Sequence, residues 1–75
     1  METMMEILRE LHPEVDFEGE TQLIDKGILD SFDIVTLVAE IDDRYGVRLS
    51  AGDLVPENFN SAAQLYSLVR RKMES

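Results

Sequence analysis

The chain has 75 residues, no cysteine, and 16 acidic against 7 basic side chains, for a formal net charge of −9. That length suits one small domain with a modest core, expected to span residues 1–75. The charge argues against nucleic acid as a partner, and the missing cysteines exclude a disulfide framework and thiolate metal sites. Basic protein surfaces are the expected partners instead, because opposite potentials steer encounter. No basic, apolar leader pattern opens the chain and no apolar run has the length of a membrane span, so a cytoplasmic monomer without membrane insertion is expected.

The first segment, METMMEILRELHPE, places Met4, Ile7, Leu8 and Leu11 at helical spacing with Glu2, Glu6, Arg9 and Glu10 between them. One amphipathic helix is predicted there, ended by Pro13 and by the restriction proline imposes on His12. The single histidine therefore falls at a helix C-terminus, where the partial negative charge favours a cation, and no chemical role is assigned to it.

From Pro13 to Asp30 no periodicity persists, yet Val15, Phe17, Leu23, Ile24, Ile28 and Leu29 are spread among polar residues. A long loop with so many apolar anchors is expected to be packed, and long loops without regular structure tend to be functional. Gly27 suits a turn with positive φ, after which Ile28 and Leu29 fold back onto the bundle.

The next segment, SFDIVTLVAEIDDRYG, predicts a helix with Asp30 or Ser31 as N-cap, Asp33 in the first turn and Gly46 as the stop. Ile34, Leu37, Val38, Ile41 and Tyr45 form one stripe for the core. Phe32, Val35 and Ala39 lie to one side of it, in the sector of Ser31, Asp42 and Asp43. Two kinds of reading of that sector stand: the core stripe is wide or the loop covers Phe32 and Val35, or else the face is exposed and docks a partner.

The remainder predicts a short irregular or single-turn element around Ala51 to Phe59 and a final helix capped by Asn60 or Ser61. Ala62, Leu65, Tyr66, Leu68 and Val69 form its apolar side, while Arg70, Arg71 and Lys72 complement the negative end of its dipole. The expected fold class is all-α, a bundle of three longer helices and one short one, with the long structured loop joining the first two.

Serine catalysis is not expected, because His12 is the one available histidine base, it has no distinctive spacing to Ser31, and the chain is too short to build a cleft around both. DDRYG lacks the alternating oxygen ligands of an EF-hand loop, and no glycine-rich phosphate loop occurs, so no catalytic residues and no metal ligands are assigned. Weak divalent binding at acidic helix ends is the most that the charge supports.

The stretch GILDSFDIVTLVAEIDDRYGVRL resembles the core of the phosphopantetheine-binding carrier proteins, in which a serine after an aspartate and before a large apolar residue opens the second helix. The likeness extends over essentially the whole chain: length, acidity, long first loop and short third element. It implies that the Ser31 hydroxyl is esterified by a phosphopantetheinyl transferase, which takes 4′-phosphopantetheine from coenzyme A. Asp30 matches the family's acidic residue before the serine and Phe32 its following apolar residue. The arm's thiol would carry acyl or aminoacyl groups as thioesters between a loading ligase and a downstream acyltransferase or synthase, so the chain itself is expected not to be an enzyme. Val35, Ala39, Asp42 and Asp43 then become the expected partner face.

Phenylalanine at 32, where leucine is commoner, resembles the stand-alone D-alanine carriers of cell-wall teichoic acid modification. The rest of the segment also matches general acyl carriers of fatty-acid or polyketide synthesis, although Thr36 and Arg44 stand where fatty-acid carriers are often acidic. The competing expectation is a degenerate carrier, an acidic helical interaction module without a prosthetic group.

Overall fold

A computed structural model describes residues 2–74, so the two terminal residues of the expected 1–75 domain lie outside the described residues. Four α-helices follow in chain order: α1 Glu2–Leu11, α2 Ser31–Tyr45, the single-turn α3 Pro56–Phe59 and α4 Ala62–Glu74, with a one-turn 3-10 helix at Ala51–Asp53. The all-α bundle is the class read from the sequence. No helix among the described residues is long and apolar enough to cross a membrane.

Each helix buries the stripe that its periodicity selects. Met4, Ile7 and Leu8 of α1 meet Leu37 and Ile41 of α2 and Leu65, Leu68 and Val69 of α4 in one core, which Phe59 of α3 joins. Met5 is buried as well, and Leu11 packs half-buried against the core at the end of α1. Ile34, Val38 and Tyr45 flank the core half-buried. Val47 and Leu49 are also buried, a contribution that a stretch this short and irregular does not announce.

The helix ends follow local chemistry. The His12 amide donates to Leu8 O at 3.0 Å as the last helical bond of α1, and Pro13 prevents another turn. Gly46 closes α2 in the left-handed region at φ 67°, its N–H bonded to Asp42 O at 3.0 Å. Of the two candidate caps for α4, Ser61 is used: its Oγ accepts the Gln64 N–H at 3.1 Å. Lys72 does more than complement the α4 dipole, because its Nζ lies 2.8 Å from Asp53 and ties α4 to the 3-10 turn. That contact, with the Ser50 amide, holds the Asp53 carboxyl down at about 2.

Asn60 is freed from capping to hold the long loop. Its Oδ1 accepts the Ile24 and Asp25 amides at 2.9 and 3.2 Å, and its carbonyl accepts the Leu23 amide at 2.9 Å. Leu23 is fully buried, and its own carbonyl takes the Leu29 amide at 3.0 Å after the chain has reversed at Gly27, φ 73°. The loop is thus sewn to the α3–α4 junction and delivers Asp30 to the start of α2. Asn60→Ala strips the half-buried Ile24 amide of its acceptor, which costs about 2 kcal/mol and lowers Tm by on the order of 10 °C. Urea and thermal unfolding of the two proteins measure it; an unchanged midpoint would mean that the loop is anchored by its apolar residues alone.

Candidate functional site

The first turn of α2 shows which of the two candidate residues caps it. Asp30 does: Oδ1 accepts the Asp33 amide at 2.9 Å, while Asp33 Oδ2 accepts the Asp30 amide at 3.2 Å, completing a capping box. Ser31 is thereby released. It is the first residue of α2, exposed, and no hydrogen bond involves its hydroxyl. With two first-turn amides satisfied by the box, those of Ser31 and Phe32 remain oriented outward beside that hydroxyl. An exposed alcohol next to outward N–H donors at the positive end of a helix dipole fits a covalently attached phosphodiester.

The expected partner face is also exposed. Phe32 is 75 % and Val35 67 % exposed, with Ala39, Asp42 and Asp43 open to solvent beyond them. The loop does not cover this sector and the core does not claim it, so of the two kinds of reading of the sequence the wide or covered core stripe is excluded. Thr36 turns its hydroxyl back to Phe32 O at 3.1 Å and so presents little polar surface there.

On the opposite side of α2, Arg44 faces α1. Its guanidinium reaches Glu10 and Glu40 at 3.1 Å and Glu6 at 3.6 Å. Three carboxylates of a strongly acidic chain share one guanidinium there, which offsets part of their mutual repulsion and gives Arg44 a structural duty on the side away from Ser31.

Sequence reasoning assigned no chemical role to His12 and did not foresee the partners that the structure gives its ring. The imidazole Nε2 lies 2.9 Å from Asp33 Oδ2, in the capping box that brackets Ser31, and Nδ1 lies 3.2 Å from Glu14. No local pattern announces a pair separated by 21 positions. The sequence reading placed Asp33 in the first turn without pairing it with Asp30; the signal for the box is Asp-x-x-Asp, with aspartate in place of the usual glutamate. Burial acts to raise the Asp33 carboxyl, but hydrogen bonds from His12 and the Asp30 amide outweigh it and leave the group below its ordinary value. Asp33 is therefore an acceptor at neutral pH. Among the described residues no group of three or more His, Asp or Glu side chains is arranged to hold a metal ion.

Comparison with known proteins places the chain in a family. The family described as "Phosphopantetheine attachment site" matches residues 2–69. A D-alanyl carrier protein of Streptococcus suis is 31 % identical over 75 residues, covering 99 % of this chain and 95 % of that protein. No solved structure gives a significant match.

Proposed function

This chain belongs to the phosphopantetheine-binding carrier family, and from that premise we propose that it holds acyl or aminoacyl groups as thioesters on a 4′-phosphopantetheine arm attached at Ser31. As a carrier it is not an enzyme; chemistry belongs to the proteins that modify, load and unload it. The observation that carries the choice of Ser31 is the division of labour with Asp30: the aspartate caps α2, and the serine keeps an unbonded, exposed hydroxyl at the helix start.

The chain's own residues do four things. Asp30 and Asp33 fix the first turn, Ser31 offers the hydroxyl that a transferase would esterify, and the Ser31 and Phe32 amides would be available to the resulting phosphodiester. Phe32, Val35 and Ala39 give partner enzymes an apolar contact next to that point, with Asp42 and Asp43 at its edge to meet basic residues. The attached arm supplies the terminal thiol that a cysteine-free chain lacks.

An aminoacyl cargo, D-alanine foremost, is supported by the likeness to the Streptococcus suis D-alanyl carrier and by Phe32 after Asp-Ser. The test is competitive loading. The phosphopantetheinylated chain is offered D-alanine with a D-alanine-activating ligase and ATP, and in parallel a fatty acid with an acyl-loading synthetase. Intact mass should show the D-alanyl thioester forming at the lower carrier concentration. Preferential fatty-acyl loading would replace the aminoacyl reading with that of a general acyl carrier.

A further inference from the structure

His12 lies one residue past α1 and reaches across to the first turn of α2. Both of its ring nitrogens face carboxylate oxygens, Nε2 at 2.9 Å from Asp33 and Nδ1 at 3.2 Å from Glu14. A neutral imidazole has one N–H and one lone pair, so it can serve only one of these acceptors; an imidazolium donates to both. The arrangement is built for the charged ring. The Asp33 oxygen that His12 holds is the same Oδ2 that accepts the Asp30 amide at 3.2 Å. Ser31 is bracketed by Asp30 and Asp33, so whatever fixes the box fixes the serine's backbone.

We propose that protonated His12 is a positioning residue for Ser31: acting through Asp33, it locks the start of α2 against the end of α1 and presents the Ser31 hydroxyl to the modifying enzyme in one orientation. The inference rests on Ser31 being the attachment point. The charged groups around His12 are Glu14 from the loop and Asp33 from α2, with Asp30 sharing the box; on α1, Glu10 is engaged by Arg44. All of those facing the ring are carboxylates and favour its proton. The hydrogen bond to Asp33 raises His12 above its ordinary value, against a lesser opposing effect of burial, and Glu14 adds to the rise. A histidine raised on folding contributes its full effect below about pH 6.5 and loses it as pH climbs through the raised value. The latch is therefore closed on the acid side of neutrality and weakens on the alkaline side.

The test measures modification of the full chain by a broad-specificity phosphopantetheinyl transferase with coenzyme A, from about pH 5.5 to about pH 8.5, a span centred near histidine titration. Wild type, His12→Gln and His12→Lys are compared at each pH, so the transferase's own titration cancels in the ratio. At the acid end the KM of His12→Gln for the carrier should exceed wild type about fivefold, the size of one partly solvated charge-assisted contact, with kcat equal. That ratio should fall to one at the alkaline end. His12→Lys, charged throughout, should match wild type in acid and surpass it in alkali. NMR titration of His12 in the unmodified chain gives a second readout: Asp33→Asn should bring its pKa back toward the ordinary value. A pH-independent ratio, or equal loss in kcat and KM, would reduce His12 to a structural contact and overturn the proposal. Wild type that takes no adduct at any pH overturns the attachment reading itself; wild type modified normally with flat ratios overturns this inference alone.

Discussion

Ser31→Ala should abolish covalent attachment of phosphopantetheine while leaving the bundle at close to wild-type stability. The first half follows from chemistry, since alanine has no hydroxyl to esterify. The second half follows from the cap. Because Asp30 Oδ1 satisfies the Asp33 amide and the Ser31 hydroxyl bonds to nothing, the substitution removes no interaction of α2. Alanine is the better helix former, so unfolding free energy should stay within about 0.5 kcal/mol of wild type. Asp30→Ala should behave in the opposite sense, losing about 1 kcal/mol with the cap yet still accepting the arm. Intact mass after incubation with coenzyme A and transferase, alongside urea midpoints, separates the two. An adduct on the Ser31→Ala protein, at any of Ser50, Ser61, Ser67 and Ser75, would reject Ser31 as the attachment point.

Val35→Asp should impair modification and loading more than tenfold, and the impairment should persist at high salt. Val35 is 67 % exposed one helical turn from Ser31, with Phe32 at 75 % beside it, so the folded carrier loses little when the side chain changes. A partner that buries this valine forfeits about 1.5 to 3 kcal/mol of apolar burial and must also desolvate a carboxylate. Asp42→Lys with Asp43→Lys acts differently: it should slow association several-fold at low salt and flatten the salt dependence, because rim charges steer encounter more than they hold the complex.

The control must change charge equally without touching the bundle. Glu6 and Glu10 are unsuitable, since both hold Arg44 across the α1–α2 contact. Glu2 and Asp16 are exposed, lie on α1 and the long loop, and their carboxylates take part in no ion pair among the described residues, so Glu2→Lys with Asp16→Lys serves. Equal slowing by that pair would mean that overall charge alone matters and that α2 has no docking face. Circular dichroism on every variant keeps helix loss out of the comparison.

What the sequence by itself determined is the part of this protein written in short-range signals. Helical periodicity located α1, α2 and α4, Pro13 and Gly46 marked their ends, and Gly27 marked the reversal in the loop, because each depends on dihedral preferences within a few residues. The Asp-Ser-Phe junction and the off-stripe position of Phe32, Val35 and Ala39 were legible for the same reason. Where two neighbours had equal local claims, tertiary structure chose. Asp30 and Ser31 cap about equally well in isolation, as do Asn60 and Ser61. Asn60 is drawn away by the loop amides of Ile24 and Asp25, and Asp30 is held by a box that Asp33 completes under the grip of His12. The pairs that matter most to the site and its scaffold, His12 with Asp33 and Arg44 with Glu10, are 21 and 34 positions apart. Their meeting is decided by how α1 crosses α2, and that crossing is set by the summed burial of Met4, Ile7, Leu8, Leu37 and Ile41, a property of the packed core that no window of neighbouring residues contains.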